Sequence, residues 1–369
     1  MTYPLIFCNW FVDCITNLTK ISHFSILKFI QCLFIDHNIL ELDLSKNKIQ
    51  LKNRNIIINT LLSLALGIFL TYIVFRNIDF QSFLEKLDTI NYAWIYFSMF
   101  ISIFEHVLRA YRWNLLMHKP NLKFSTYMTT HVVIVSYFFA LFIPRFNDFV
   151  RCYLISKTNK INVSTSLGTV VSERIIDILS LLLLTIFLLI IEFDIFYSFI
   201  DEYILGSLSI DIKSISILIL ILLFITYVFK FLKKKSSYFE EKISEFKEGL
   251  FSAKGILTDK RFLISTVLLW LIYFFMGYVI FFSINETSNL GPVVGLAVLI
   301  AGSLGMIVPV NAGIGAYHFL VASILIGYSI DYETGLFFAT ILHTSQIICL
   351  AILGLFSSLV LFIKIRSNA

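Results

Sequence analysis

Long apolar stretches uninterrupted by charge dominate the chain. Residues 56–75, 262–285, 287–330 and 334–363 contain no Asp, Glu, Lys or Arg. About 20 apolar residues cross a bilayer core as a helix. The runs are unbroken rather than alternating, which excludes the period-two pattern of a closed β-barrel. The pattern predicts an all-α, polytopic integral membrane helical bundle. Spans are predicted over 56–75, 91–108, 168–191, 214–230, 262–284 and 336–363, with further apolar segments over 127–143 and 290–330. Residues 1–50 lack such runs. The best of them, 24–35, is too short to span and holds Lys28. We expect this segment to be a membrane-surface or poorly ordered extension, and residues 51–369 to be the transmembrane domain.

Composition agrees with the pattern. Apolar residues make up 58% of the 369, charged residues only 14%, and the mean hydropathy is +0.86. A soluble domain carries roughly 25% charge, so two soluble domains are excluded. The five cysteines show no CxxC spacing and predict neither a disulfide framework nor a metal site. No cofactor is expected. The net charge of +5 matters less than where the charges fall.

Basic residues concentrate in some loops and not in others, and they set orientation by the positive-inside rule. Lys46, Lys48, Lys52 and Arg54 place the segment before the first span inside. Loops 109–126, 145–165 and 231–261, and the tail with Lys364 and Arg366, also read as inside. Loop 193–212 holds Asp194, Asp201, Glu202 and Asp211 and no basic residue, and reads as outside. Both termini are therefore expected in the cytoplasm, in the cytoplasmic (inner) cell membrane. Segment 127–143 begins and ends inside on this count, so it is predicted to be re-entrant. Such backbone is tolerated only inside protein or along a wet cavity. Segment 290–330 likewise leaves and returns on one side, as two short spans or a second re-entrant hairpin. The turns Phe142-Ile143-Pro144-Arg145-Phe146-Asn147-Asp148 and Ile307-Val308-Pro309-Val310-Asn311-Ala312-Gly313 look alike. The fold expected is a bundle with two proline-broken re-entrant hairpins. An inverted repeat with broken helices and chance similarity are both open explanations of the likeness.

Charge inside the apolar segments marks candidate chemistry. Glu173, Arg174 and Asp177 occupy one helix face at i, i+1 and i+4. A charge at the bilayer centre costs about 2.5–3.5 kcal/mol on insertion scales, so three within five residues need partners or water. They form either an interfacial helix start or one wall of a substrate cavity. Arg145, Asp148 and Arg151 are spaced three apart. Their guanidiniums are suited to grip a phosphate bidentately, or to anchor a helix as an ion-pair ladder. Arg109 and Arg112 follow Glu105 at i+4 and i+7, beside Trp113. Interface anchoring is the ordinary reading there, and substrate contact is the alternative. Gly313 and Gly315 precede His318, where a tight turn opens a helix and its amides could meet an anion. His343 and Gln346 share one helix face. A proton relay, head-group contact or satisfied core polar residues all fit them, and their scatter does not match a zinc pattern.

The order of these elements resembles the membrane domain of lysylphosphatidylglycerol synthases and the flippase-like membrane family. Arg109-Ala-Tyr-Arg112-Trp113 is similar to its R-x-x-R-W element. Pro144 through Arg151 is similar to P-x-R-x-G-[DE]-x-x-R, and Ser172-Glu173-Arg174-Ile-Ile-Asp177 to E-R-x-x-D. Pro309 through His318 resembles P-x-x-G-G-x-G-x-x-E. The likeness covers about residues 51–366. Asn147 replaces a usual Gly, Ala312 the first Gly of the last element, and His318 its Glu. Those departures put head-group chemistry in the second hairpin in question. Only six residues follow Ile363, so synthesis of the lysyl lipid by this chain alone is not expected.

The resemblance implies translocation of a phosphate-bearing lipid or lipid-linked sugar between leaflets. Its partners would be membrane lipids, anionic or phosphate-bearing, with a separate lipid-modifying enzyme alongside, and no nucleic acid. A membrane-embedded glycosyltransferase is the alternative, although Asp79, Glu85 and Asp88 lack DxD spacing. An ion-coupled small-solute transporter also uses broken helices. No nucleotide-binding motif appears, and no catalytic residue is assigned.

Overall fold

The structure is a computed structural model that describes residues 65, 67–76, 80–117, 124–143, 146–159, 161–200, 237–251, 253–308 and 310–368. The extension 1–50, most of the first predicted span, the span 214–230, and Pro144, Arg145 and Pro309 lie outside them. The described residues are helical, without a strand. They comprise α1 (67–75), α2 (Phe80–Glu85), α3 (Tyr92–Leu116), α4 (Thr126–Ala140), α5 (Asn147–Asn159) and α6 (Val163–Ile191). Then follow α7 (Phe193–Ile200), α8 (Ser237–Phe251), α9 (Ala253–Ile256), α10 (Lys260–Tyr278), α11 (Pro292–Ile307), α12 (Ala316–Ile326) and α13 (Tyr332–Asn368).

Three of these are long and apolar enough to cross a membrane: Val163–Ile191, Lys260–Ser283 and Tyr332–Arg366. The second includes the 3₁₀ turn that continues α10. Along α6 one face exposes Ile178, Leu179, Leu182, Leu183, Ile186 and Ile190. An apolar face of that size, on a helix long enough to span, fits contact with lipid. The protein is an all-α, multi-pass membrane bundle.

Helix limits follow from local chemistry. Asn91 opens α3 by accepting the Ala93 N–H at 3.2 Å, and Asp259 opens α10 by accepting the Arg261 N–H at 2.8 Å. Pro292 starts α11, where its missing N–H costs nothing. Before α13, Asp331 accepts the Thr334 N–H at 2.9 Å. Partial burial pushes that carboxyl up, but this hydrogen bond and nearby Lys86 hold it below its ordinary value.

Other helices are too short to span. The 15 residues of α4 reach about 22 Å at 1.5 Å per residue, against a hydrocarbon core of about 30 Å. The 16 residues of α11 and 11 of α12 fall short in the same way. Both turns predicted from the sequence interrupt helix: α4 ends before the first and α11 before the second. In the second turn Ala312, Gly313 and Gly315 have φ of +51°, +72° and +87°. A Cβ at Gly315 would sit 2.7 Å from the Leu70 Cβ, so this position needs glycine both for conformation and for the close approach of α1. Asn311 donates to the Phe142 carbonyl at 3.4 Å, which brings the two turns together.

Polarity divides the bundle. One apolar core packs Ile280, Phe281, Val298, Ala301, Val321 and Phe337 against the first turns of α3. Small polar links stitch the middle: Ser98 donates to the Met276 carbonyl at 2.7 Å and accepts from Gln346 at 2.9 Å. Charge gathers around the second half of α3.

Candidate functional site

The site is built from α3, α5 and α6, closed by α4 and α10. On α3, Glu105, His106, Arg109 and Arg112 occupy successive turns, and all are buried. Glu105 holds two groups of its own helix. Arg109 Nε donates to it at 2.8 Å, and His106 Nδ1 lies 2.5 Å from its second oxygen. Tyr273 of α10 donates to Glu105 at 3.0 Å and accepts from Arg109.

Glu173 of α6 is the centre. Its side chain has no exposed surface, yet it is ionically satisfied from two helices. Arg112 donates to Oε1 at 3.0 Å and Arg109 at 3.3 Å, both from α3. Arg151 of α5 donates to Oε2 at 2.8 Å. Arg112 also donates to Asp177 at 2.7 Å. Both Arg112 and Arg151 are fully buried, and the Arg151 guanidinium lies over the Trp113 ring, 4.8 Å from its centroid. Trp113 is fixed in turn by donating to Thr169 at 3.0 Å. A buried charge is tolerated only when paired and hydrogen-bonded. Glu173 and Asp177 each meet at least two guanidiniums.

The rim is wetter. Asp148 accepts from Arg174 at 3.0 Å and lies 3.1 Å from Arg151. The Arg174 side chain is 36% exposed. Of the three charges on α6, Glu173 faces the interior, Asp177 lies between, and Arg174 marks the edge of the cluster.

The structure thus joins Asp148, Arg151, Glu173, Arg174 and Asp177 with Arg109 and Arg112. The last two were read first as interface anchors, and Arg112 turns out to be fully buried at the centre. Glu105, Tyr137 and Tyr273 complete the surroundings; the Arg109 guanidinium lies 5.4 Å from the Tyr137 ring centroid. The i, i+4, i+7 spacing on α3 was the available signal for Glu105. Nothing local marks either tyrosine.

Gly313, Gly315, His318, His343 and Gln346 form a different group. His318 Nδ1 accepts the Gly315 N–H at 3.2 Å and so caps α12. His343 stacks on Tyr317, with ring centroids 4.6 Å apart, and meets His318 edge-on at 5.0 Å. Gln346 is engaged by Ser98. No hydrogen bond or ion pair joins this group to the arginine cluster among the described residues. Beside the second turn is a cavity of about 370 Å³ lined by Gly67, Ile68, Thr71, Tyr72, Asn311 and Ile314. No arginine is among the described residues that line it.

The family model for the lysylphosphatidylglycerol synthase TM region matches residues 60–354. The chain belongs to this family. Its match takes in every residue of the charge cluster and both helix-breaking turns. No curated protein and no solved structure matches the chain significantly. As a member of the family it is a multi-pass membrane protein, with the family's membrane region forming most of its length.

Proposed function

We propose that the protein is a lipid translocase of the cytoplasmic membrane, with residues 51–369 as its working domain. It moves the head group of a phosphate-bearing lipid, or of a lipid-linked sugar, between leaflets. One observation carries this reading: four arginines and four carboxylates are gathered among helices otherwise faced with apolar side chains. A purely structural bundle would be as stable or more so with apolar residues in their place. Acyl chains stay in lipid while the head group crosses a polar interior, which lowers the barrier to moving charge through hydrocarbon.

The partners are then membrane lipids, anionic or phosphate-bearing, and a separate lipid-modifying enzyme supplies or consumes them. The arginine-bearing residues of α3 and α5 face the cytoplasmic entry. Both termini lie on that side, and α4 with α5 forms a re-entrant hairpin. The shortness of α4 and the basic residues on either side of it support this topology. Single cysteines at Lys123 and Lys157 should be labelled by an impermeant reagent from the same, cytoplasmic side. Labelling from opposite sides would exclude the hairpin.

Native mass spectrometry of the purified protein tests the substrate class. Wild-type protein should retain a phosphate-bearing lipid, and Arg151→Ala should lose it while keeping its helical signal. Retention of a neutral lipid alone by both proteins would rule out the phosphate reading.

A further inference from the structure

The charge cluster is balanced in one respect and unbalanced in another. Among the described residues, the guanidiniums of Arg109, Arg112, Arg151 and Arg174 meet the carboxylates of Glu105, Asp148, Glu173 and Asp177, so formal charge cancels. Hydrogen-bonding capacity does not cancel. Glu173 accepts from three arginines, and Glu105 from Arg109 and Tyr273 with His106 beside it. Asp148 and Asp177 each have at least two cationic partners. By contrast Arg112 Nε and Nη1 and Arg151 Nε are buried and have no acceptor among the described residues. Buried N–H groups without acceptors are rare and point to something that completes them. The spare capacity is donor only, so what completes it is an acceptor and not an ammonium. An oxyanion with three or more oxygens would serve both arginines, and Glu173 now bridges them with its two.

We propose that the Glu173 carboxylate stands in for the head-group phosphate in the resting protein. An incoming phosphodiester takes its place between Arg112 and Arg151, and Glu173 takes up one proton from the aqueous phase. This rests on the translocase reading and adds its coupling. One negative charge and one proton enter together, so the cluster stays neutral. A buried acid parted from its guanidiniums favours the protonated form. The groups facing Glu173 set the balance: Arg109 and Arg112 on α3, Arg151 and Asp148 on α5, and Arg174 and Asp177 on its own helix. Tyr137 on α4 reaches it through Arg109 and Arg174, and Tyr273 on α10 through Arg109.

Calorimetric titration of the full-length protein in an uncharged detergent tests this. The probe is a short-chain phosphatidylglycerol, titrated at one pH in buffers of different ionisation enthalpy. Its phosphate-free diacylglycerol and the soluble diester dimethyl phosphate are titrated in parallel. The expected result is lipid binding with uptake of about one proton, and affinity that rises as pH falls because protons enter with the ligand. Glu173→Gln should bind the same lipid on the order of tenfold more tightly and take up no proton. Should that variant not fold, the wild-type proton count decides alone. Lipid binding without proton uptake overturns the exchange and leaves the translocase reading standing. Equal binding of phosphatidylglycerol and diacylglycerol, or none of either, overturns both. Proton uptake with dimethyl phosphate but not with the lipid assigns the site to a soluble anion and overturns the lipid exchange.

Discussion

Arg112→Ala should destabilise the folded protein by about 3–5 kcal/mol, the range for removing one partner of a buried ion pair. The guanidinium is fully buried and donates to both Glu173 and Asp177. Its loss leaves Glu173 with Arg109 and Arg151, but Asp177 loses its nearest cation and α3 loses its closest tie to α6. The substitution also empties a large volume beside Phe262, over which the guanidinium lies, adding a cavity cost. Arg112→Lys should recover only part of the loss. A lysine keeps the charge, but its compact ammonium lacks the planar guanidinium that fixes the direction of the donors and lies over Phe262. Arg261→Ala should change little, since its partner Asp259 is only two residues away in sequence and the side chain is 69% exposed. Thermal unfolding in detergent separates the three. An unfolding midpoint for Arg112→Ala equal to that of Arg261→Ala would show that the cluster is not structurally coupled.

Gly168→Ala should be nearly as damaging, by a different cause. α6 and α8 cross with backbone against backbone at this point. A Cβ on Gly168 would lie 2.6 Å from the Leu250 nitrogen and closer still to the Phe246 carbonyl oxygen. Gly249 on the facing helix is blocked in the same manner by the Thr165 carbonyl. No side-chain rotation relieves a clash with main chain, so the helices must part. Separation breaks the Ser172 hydrogen bond to the Leu250 carbonyl, now 2.7 Å, and shifts Glu173, its neighbour. We expect a cost of about 3 kcal/mol, the upper end for overpacking, and close helix contacts through small residues are how membrane helices associate. Gly255→Ala, with nothing within 4 Å of its added methyl, is the control. Equal stability of the two variants would contradict this crossing.

The spans of α6, α10 and α13 were legible because burial in lipid imposes one requirement, an unbroken apolar run of sufficient length. The breaks between α4 and α5 and between α11 and α12 were legible from proline beside small residues. Part of the site was legible too. Glu173, Arg174 and Asp177 stand out because charge in an apolar helix is costly, whatever surrounds it. Arg112 was harder. A basic residue near the end of an apolar helix has the same local pattern whether it snorkels to an interface or turns inward, and only the acids of α6 decide which. Sequence spacing orders residues around one helix, but it is silent about which helices face each other. For that reason Tyr137 and Tyr273 gave no signal. His318 and His343 gave a signal that fits a core role and a functional one equally, and the structure adds that the His318 imidazole caps α12 through the Gly315 N–H.

The most direct test of the central claim is leaflet exchange of a fluorescent phosphatidylglycerol in proteoliposomes, followed by quenching from the outer face. The account predicts exchange faster than in protein-free vesicles. Arg151→Ala should slow it toward the protein-free rate, and Arg261→Ala should leave it unchanged. Exchange at the protein-free rate across anionic and lipid-linked sugar probes, with the reconstituted protein folded and sugar transfer detected, would contradict the account and favour a membrane-embedded glycosyltransferase.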